Sequence, residues 1–322
     1  MGRYAAALVR GDVTNAYAVL FPGQGSQHVG MGLELAEVYP AARQIFQRAD
    51  EALGFTLSRL CWEGPEEELK QTENAQPAIL VHGFAAWSVV SGDLGGRVRF
   101  GAGHSLGEFT AYTAAGSLRF EDAVRLVRRR GELMAASRAG TMSAIVGLGA
   151  TDVEAICGRV SGEGKLVVAA NYNSPQQIVI SGEVEAVERV AELAEQAGAK
   201  MVRPLPVSGA FHSPLMADAE AGLREALEAV EFEDPEFPIV SNVTAEPVSD
   251  ADTARNTLVR QLTAPVRWSE GVQRIAREGI GDFVELGPGK VLTGLLRRID
   301  RSLAGAEIGR PEDFERFSEG TS

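Results

Sequence analysis

Ser105 is the residue whose setting speaks most directly of chemistry. It stands in Gly103-His104-Ser105-Leu106-Gly107, after the strand-like Val98–Ala102 and before a helical segment that opens at Leu106. A Gly-x-Ser-x-Gly pattern at a strand-to-helix corner is a nucleophile elbow: the chain turns so sharply that only glycines fit on either side, and the hydroxyl is held out at the helix start. The first N–H groups of that helix have no intrahelical acceptor and lie at the positive end of its dipole, so they suit an oxyanion formed beside the same hydroxyl. The chemistry implied is attack on an acyl carbon.

A serine hydroxyl needs a base, and histidine is the usual one near neutral pH. The chain has four. His104 adjoins the nucleophile, and its side chain is expected to point away from the hydroxyl. His82 lies in an apolar helix and reads as a packed core residue. His28, in FPGQGSQHVGMG, reads as a loop or rim residue. His212, in VSGAFHSPLM between a strand and a helix, has the position of a loop base and is the best of the four. A triad would next need a carboxylate to orient His212. The downstream Asp218 and Glu220 sit on a helix with no evident link to it, so simple triad logic stops here.

Two other glycine-rich turns fail the nucleotide patterns. Gly23, Gly25 and Gly30 are wrongly spaced for Gly-x-Gly-x-x-Gly, and Gly287-Pro288-Gly289-Lys290 is followed by Val291 rather than Ser or Thr. The formal charge of -13 argues against nucleic acid, whose binding rests on neutralising phosphates. An acidic protein partner would then need a local basic patch, which Lys290, Arg297, Arg298 and Arg301 can supply. No apolar run approaches the roughly 18 residues that span a bilayer. The N-terminus, MGRYAAALVRGD, lacks the apolar core of a secretory signal, and Ala6 stands where a myristoylation signal has Ser or Thr. A cytoplasmic location is expected. Cys61 and Cys157 are too few and too far apart for a disulfide framework or a multi-Cys zinc site.

The elements that must position these residues follow from hydrophobic periodicity. Strands are predicted at Tyr17–Phe21 and Val98–Ala102, and helices at Leu33–Leu53, Pro77–Val90, Leu106–Ala115 and Phe120–Ser137. From about 140 to 208 the order becomes strand, helix, two strands, helix, strand, which is the ferredoxin-like βαββαβ unit. After 209 the large fold resumes, with strands at Ile239–Asn242 and Asp282–Glu285 and a helix at Val291–Arg301. The fold class read from this is α/β: an α/β-hydrolase-like large domain, residues 1–137 and 209–322, with an inserted ferredoxin-like subdomain, residues 138–208. The end of the chain after about 303, rich in Gly, Glu and Ser, reads as a poorly ordered tail.

With these pieces placed, the sequence resembles the malonyl-CoA:acyl carrier protein transacylases, the acyltransferases of fatty acid and polyketide synthesis. The resemblance runs through FPGQGSQ, QPAIL, GHSLGE, RRRGELM, NYNSPQQIVISG, AFHSP, QLTAPVRW and GPGKVLTGLL, in that order. It implies that Ser105 is acylated and that His212 is base and then acid of a Ser-His dyad. The imidazole would be oriented by the main-chain carbonyl of Gln261, which accounts for the missing carboxylate. The backbone amides of Gln24 and Leu106 would form the oxyanion hole, and Arg130 would grip the free carboxylate of the malonyl group. Phe211, before the histidine, and Leu106, after the serine, would favour malonyl over methylmalonyl. Gly209 departs from the pattern, since polyketide synthase domains with this loop often carry His there. Arg128 and Arg129 read as a solvated helix face.

The implied partners are malonyl-CoA, an acyl carrier protein and a polyketide synthase, with no bound metal or redox cofactor. Two competing readings use the same residues. An editing acyl hydrolase would give the acyl group to water, but it removes varied uncarboxylated chains and has no use for Arg130. A non-catalytic docking module would have lost Ser105 or His212, and neither is lost.

Overall fold

The computed structural model describes residues 16–137, 140–207 and 209–320. The N-terminal segment from which the absence of an export or lipidation signal is argued lies outside them, as do residues 138–139 and 208 at the two expected domain junctions. β1 (Tyr17–Phe21) is buried along its whole length. Tyr17, Val19 and Phe21 enter one core and Ala16, Ala18 and Leu20 another, the alternation of a central strand covered on both faces.

The single helix expected over Leu33–Leu53 is two, α1 (Leu33–Val38) and α2 (Pro40–Leu53). Pro40 brings no N–H and holds Tyr39 extended at φ -110, ψ 113, so the first helix ends there. Two short helices not foreseen in the sequence follow, α3 (Leu57–Glu63) and α4 (Glu66–Leu69). α5 (Thr72–Leu94) is longer than expected at both ends and contains Pro77. That proline leaves the Glu73 carbonyl without its helical donor, and Arg128 Nη1 supplies one at 3.3 Å while also holding Asn74 Oδ1 at 2.6 Å. Arg128 is therefore a half-buried cross-brace, not the solvated residue expected.

β2 (Val98–Gly103), α6 (Leu106–Ala114) and α7 (Phe120–Ala136) complete the first half. A second region has β3 (Thr141–Val146), α8 (Ala150–Ser161), β4 (Val167–Ser174), β5 (Gln177–Gly182), α9 (Val184–Gln196) and β6 (Met201–Pro204). Its four strands form an antiparallel sheet in the order β4-β5-β3-β6, with a core of its own from Ile145, Ile156, Ile180 and Val190. β4 runs longer than predicted because its far end crosses to the other region: Tyr172 N–H donates to Val266 O and Val266 N–H to Ala170 O, at 2.9 and 2.8 Å.

The chain then returns through α10 (Ala217–Glu228), β7 (Ile239–Val240), β8 (Pro247–Val248), α11 (Ala251–Arg260), α12 (Trp268–Arg277), β9 (Asp282–Leu286), α13 (Val291–Ile299), β10 (Ala304–Ile308) and α14 (Pro311–Gly320). The large sheet has the order β10-β9-β1-β2-β7-β8 and is parallel except for β8. The expected tail is thus corrected through residue 320. β10 extends the sheet, and α14 packs Phe314, 6 % exposed, against Tyr39. Its polar composition hides two phenylalanines one helical turn apart, Phe314 and Phe317, which pack on Tyr39 and Tyr17. His82 on α5 reaches the Gly309 carbonyl with Nε2 at 2.9 Å, so the core histidine read from the sequence also pins this terminal segment.

Candidate active site

The corner after β2 is made by close backbone approach. A Cβ on Gly107 would lie 2.1 Å from the Phe21 carbonyl oxygen, and one on Gly103 would lie 1.9 Å from the Gly107 carbonyl. No side chain fits either place. Ser105 between them has φ 53, ψ -110, a conformation that non-glycine residues adopt only when their surroundings impose it. Gly23 of the FPGQG loop backs onto the same corner, where a Cβ would be 2.6 Å from the His104 carbonyl. The loop carrying Gln24 is thereby laid against the elbow, and the Gln24 side chain is tied to Thr72 Oγ1 at 3.1 Å. Leu106 is buried as the first residue of α6.

His212, far along the chain, meets Ser105: Oγ and Nε2 are 2.8 Å apart. It too has positive φ, 57, and its turn is held by Ser213 Oγ donating to the Ala210 carbonyl at 2.6 Å. His212 Nδ1 faces the Gln261 carbonyl at 2.8 Å, so Nδ1 carries the hydrogen and Nε2 is free to accept the serine proton. Among the described residues no carboxylate holds the imidazole: Glu220 binds Arg224 and Thr263 instead. Burial, and next the positive charge of Arg130, push the imidazole down to about 3, while the Gln261 carbonyl opposes the shift. The histidine is a neutral base at any ordinary pH.

Arg130 is 1 % exposed at the elbow. α7 delivers it because Gly131 lets the helix press against α5, where a Cβ would meet Glu73 Cα at 2.6 Å. Its Nη1 donates to Gln76 Oε1 at 2.7 Å, and its Nη2 donates to Ser105 Oγ at 3.0 Å and to Gln261 Oε1 at 2.9 Å. Among the described residues no carboxylate comes within ion-pair distance of it. Burial lowers it to about 9, and the negative charge of Glu108 raises it. A buried guanidinium without a direct counter-ion is costly, and an anion brought beside the serine would relieve that cost.

The structure thus brings Ser105, His212, Gln261 and Arg130 into one cluster and lays the Gln24 loop and Leu106 at its edge. Phe211 is buried next to the base. A Cβ on Gly209 would lie 2.5 Å from its ring, so the departure at 209 makes room for this phenylalanine. His104 turns to Asn173 Oδ1 at 2.8 Å and Trp268, and His28 is exposed. Three residues escaped the sequence reading. Gln76 braces Arg130. Asn242 clamps the elbow, accepting from Ser105 N–H at 2.8 Å and donating to the Gly103 carbonyl at 2.7 Å. Glu108, buried, accepts from Gln261 Nε2 at 2.6 Å and from Asn242 N–H at 3.2 Å. Gln76 and Glu108 end or begin motifs already visible, QPAIL and GHSLGE, but nothing local marked their partners.

The chain matches the acyl transferase domain family over residues 18–309. It is 46 % identical over 301 residues to the malonyl CoA-acyl carrier protein transacylase of Bacillus subtilis strain 168, covering 92 % of this chain and 95 % of that one. It is 42 % identical to the Escherichia coli K12 protein of the same name, over 92 % and 96 %. Among solved structures it is similar to that transacylase from Coxiella burnetii, with TM-score 0.92, 39 % identity and coverage of 95 % and 97 %. It is also similar to a malonyl-transacylase solved in complex with a type II PKS acyl-carrier protein, with TM-score 0.91, 42 % identity and coverage of 95 % and 99 %.

Proposed function

From a chain that belongs to the acyl transferase family, and from the geometry of its site, we propose the transfer of a malonyl group from malonyl-CoA to the phosphopantetheine thiol of an acyl carrier protein, in fatty acid or polyketide synthesis. The observation that carries this reading is Arg130, a buried guanidinium hydrogen-bonded to the nucleophilic oxygen and lacking a carboxylate of its own. An acyl group ending in a carboxylate supplies one.

The reaction runs in two halves. Ser105 Oγ attacks the thioester carbonyl while His212 Nε2 takes its proton. The backbone amides of Gln24 and Leu106 hold the oxyanion, the C–S bond breaks, and the CoA sulfur leaves with the proton from His212. The carrier thiol then gives its proton to His212 and attacks the malonyl-serine ester, and Ser105 Oγ leaves and recovers a proton. Both steps are redox-neutral, and base, acid and oxyanion donors all come from the chain. Arg130 swings its fork from Ser105 Oγ to the malonyl carboxylate, a charge-assisted pairing whose geometry suits two parallel N–H donors. Neutralising the guanidinium also removes one of the influences that weaken His212 as a base, second only to burial, so the right substrate improves its own attack. The Phe211 ring excludes an α-methyl group by about 1–3 kcal/mol, a preference and not an absolute barrier.

The division into an α/β-hydrolase-like domain, residues 1–137 and 209–322, and a ferredoxin-like one, residues 138–208, belongs to this reading. Supporting it are the separate core of the antiparallel sheet and its strand order, in which the third strand of the βαββαβ unit lies between the second and first, with the fourth at the edge. A cytoplasmic location fits the two buried free cysteines. No described helix is long and apolar enough to cross a membrane.

Hydrolysis from the same serine is the process to be separated. Steady CoA release from malonyl-CoA is expected only when phosphopantetheinylated carrier protein is added. Continuous release into buffer alone would replace the transferase reading with a hydrolase.

A further inference from the structure

Gln261 occupies two positions in the site at once. Its main-chain carbonyl holds His212, and its side-chain oxygen accepts from Arg130 Nη2. Its side-chain nitrogen donates to two acceptors, the Ser105 carbonyl at 2.9 Å and Glu108 Oε2 at 2.6 Å. An amide can be turned by half a rotation at little cost in shape, and what forbids it here is the chemistry of the neighbours. Reversed, its oxygen would face a carboxylate and a carbonyl, and its NH2 would face the guanidinium.

Glu108 is central to that prohibition. It sits on α6 one turn after Ser105, is fully buried, and has no cationic side chain within ion-pair distance among the described residues. Its Oε2 also takes the Asn242 N–H, and the side chain of Asn242 clamps the elbow backbone on both sides of His104. A buried carboxylate is expensive to keep, and no step of acyl transfer uses it. We propose that Glu108 is a positioning residue for recognition of the malonyl carboxylate: through Gln261 it locks the one amide orientation that presents Oε1 to Arg130 and so aims the guanidinium fork. This rests on reading Arg130 as the carboxylate clamp.

The neutral isostere separates the roles. In Glu108→Gln the side chain at 108 can accept or donate, so it no longer rejects the reversed amide; only the Ser105 carbonyl and the guanidinium still oppose the turn, and the fork's aim is weakened. The quantity to read is the ratio of kcat/KM for acylation of Ser105 by malonyl-CoA to that by acetyl-CoA. It does not depend on what fraction of the preparation is active. Glu108→Gln is expected to lower the ratio about 10-fold, chiefly through KM for malonyl-CoA, as befits loss of one charge-assisted orientation. Gln261→Leu, which keeps the main-chain carbonyl, is expected to lower it by a similar factor. Because one residue acts through the other, the double variant should fall no further than Gln261→Leu alone.

Equal loss with both acyl-CoAs, or multiplying losses in the double variant, overturns the proposal. Should Glu108→Gln prove insoluble, an unchanged ratio in Gln261→Leu has the same force. Arg130→Ala measured alongside distinguishes the two levels: an unchanged ratio there defeats the clamp itself, whereas a collapsed ratio with Glu108→Gln unaltered defeats only the positioning role.

Discussion

At the scale of single residues, the site is a serine, a neutral histidine and a cation that waits for an anion. Arg130→Ala removes two charge-assisted hydrogen bonds to a malonyl carboxylate, so selectivity for malonyl-CoA over acetyl-CoA should fall by about 3 kcal/mol, roughly 100-fold. Competition between the two acyl-CoAs measures it, and an unchanged ratio contradicts the clamp. The pH dependence follows from His212. The base works only when neutral, and burial with the Arg130 charge depresses its protonation to about 3. The rate of Ser105 acylation by acetyl-CoA, which makes no use of the Glu108–Gln261–Arg130 arrangement, should therefore show no fall between pH 8 and pH 5. In Arg130→Ala the neighbouring positive charge is gone, the imidazole holds a proton more readily, and the acid limb moves to higher pH. A wild-type limb near the ordinary histidine value would contradict the account. Ser105 was legible because glycines, strand and helix announce the elbow locally, and His212 because it sits in a loop between a strand and a helix. Gln76, Glu108 and Asn242 were not, because each acts through a buried polar pair with a residue distant in sequence.

At the scale of elements, the glycine corner at the elbow and the terminal β10–α14 segment each make contacts whose loss can be measured. Gly107→Ala drives a methyl group into the Phe21 carbonyl at the end of β1 and has to part strand from helix. A cost above about 4 kcal/mol is expected, seen as a large drop in the urea midpoint or as loss of soluble protein. Near-native stability would show that β1 yields easily and that the corner is less tightly packed than described. Deleting residues 304–320 should also destabilise the fold, since it bares the edge of β9 and removes the Phe314 and Gly309 contacts. Thermal unfolding of the shortened chain at an unchanged midpoint would restore the disordered tail read from composition. That expectation failed because a parallel edge strand beside a buried neighbour needs few apolar residues of its own. The helix over 33–53 was misjudged for the opposite reason: its apolar rhythm continues through Tyr39, and only the backbone of Pro40 interrupts it.

At the scale of the whole molecule, charge and topology place the partner. With -13 overall, a chain that receives an acidic partner must do so at a cationic place. Lys290 is exposed at the start of α13, and the loop before it approaches Pro22, where a Cβ on Gly287 would come within 3.1 Å; Pro22 in turn lies close to Gly107 of the elbow. Lys290→Glu should raise KM for the carrier protein several-fold, with the effect shrinking as salt is added. A salt-independent loss, or none, would move the docking face elsewhere. The alternation of strands and helices was legible from the hydrophobic rhythm, whereas the contact of β4 with Val266, which ties the small sheet to the segment before α12, rests on backbone pairing that no side-chain pattern reports. The account stands or falls on an acyl group carried by Ser105. Intact-mass analysis with peptide mapping, on protein quenched after mixing with malonyl-CoA, should find one malonyl group on the peptide containing Ser105, lost when carrier protein is added and never formed in Ser105→Ala. A malonyl adduct on another residue, or one that persists in Ser105→Ala, would contradict it.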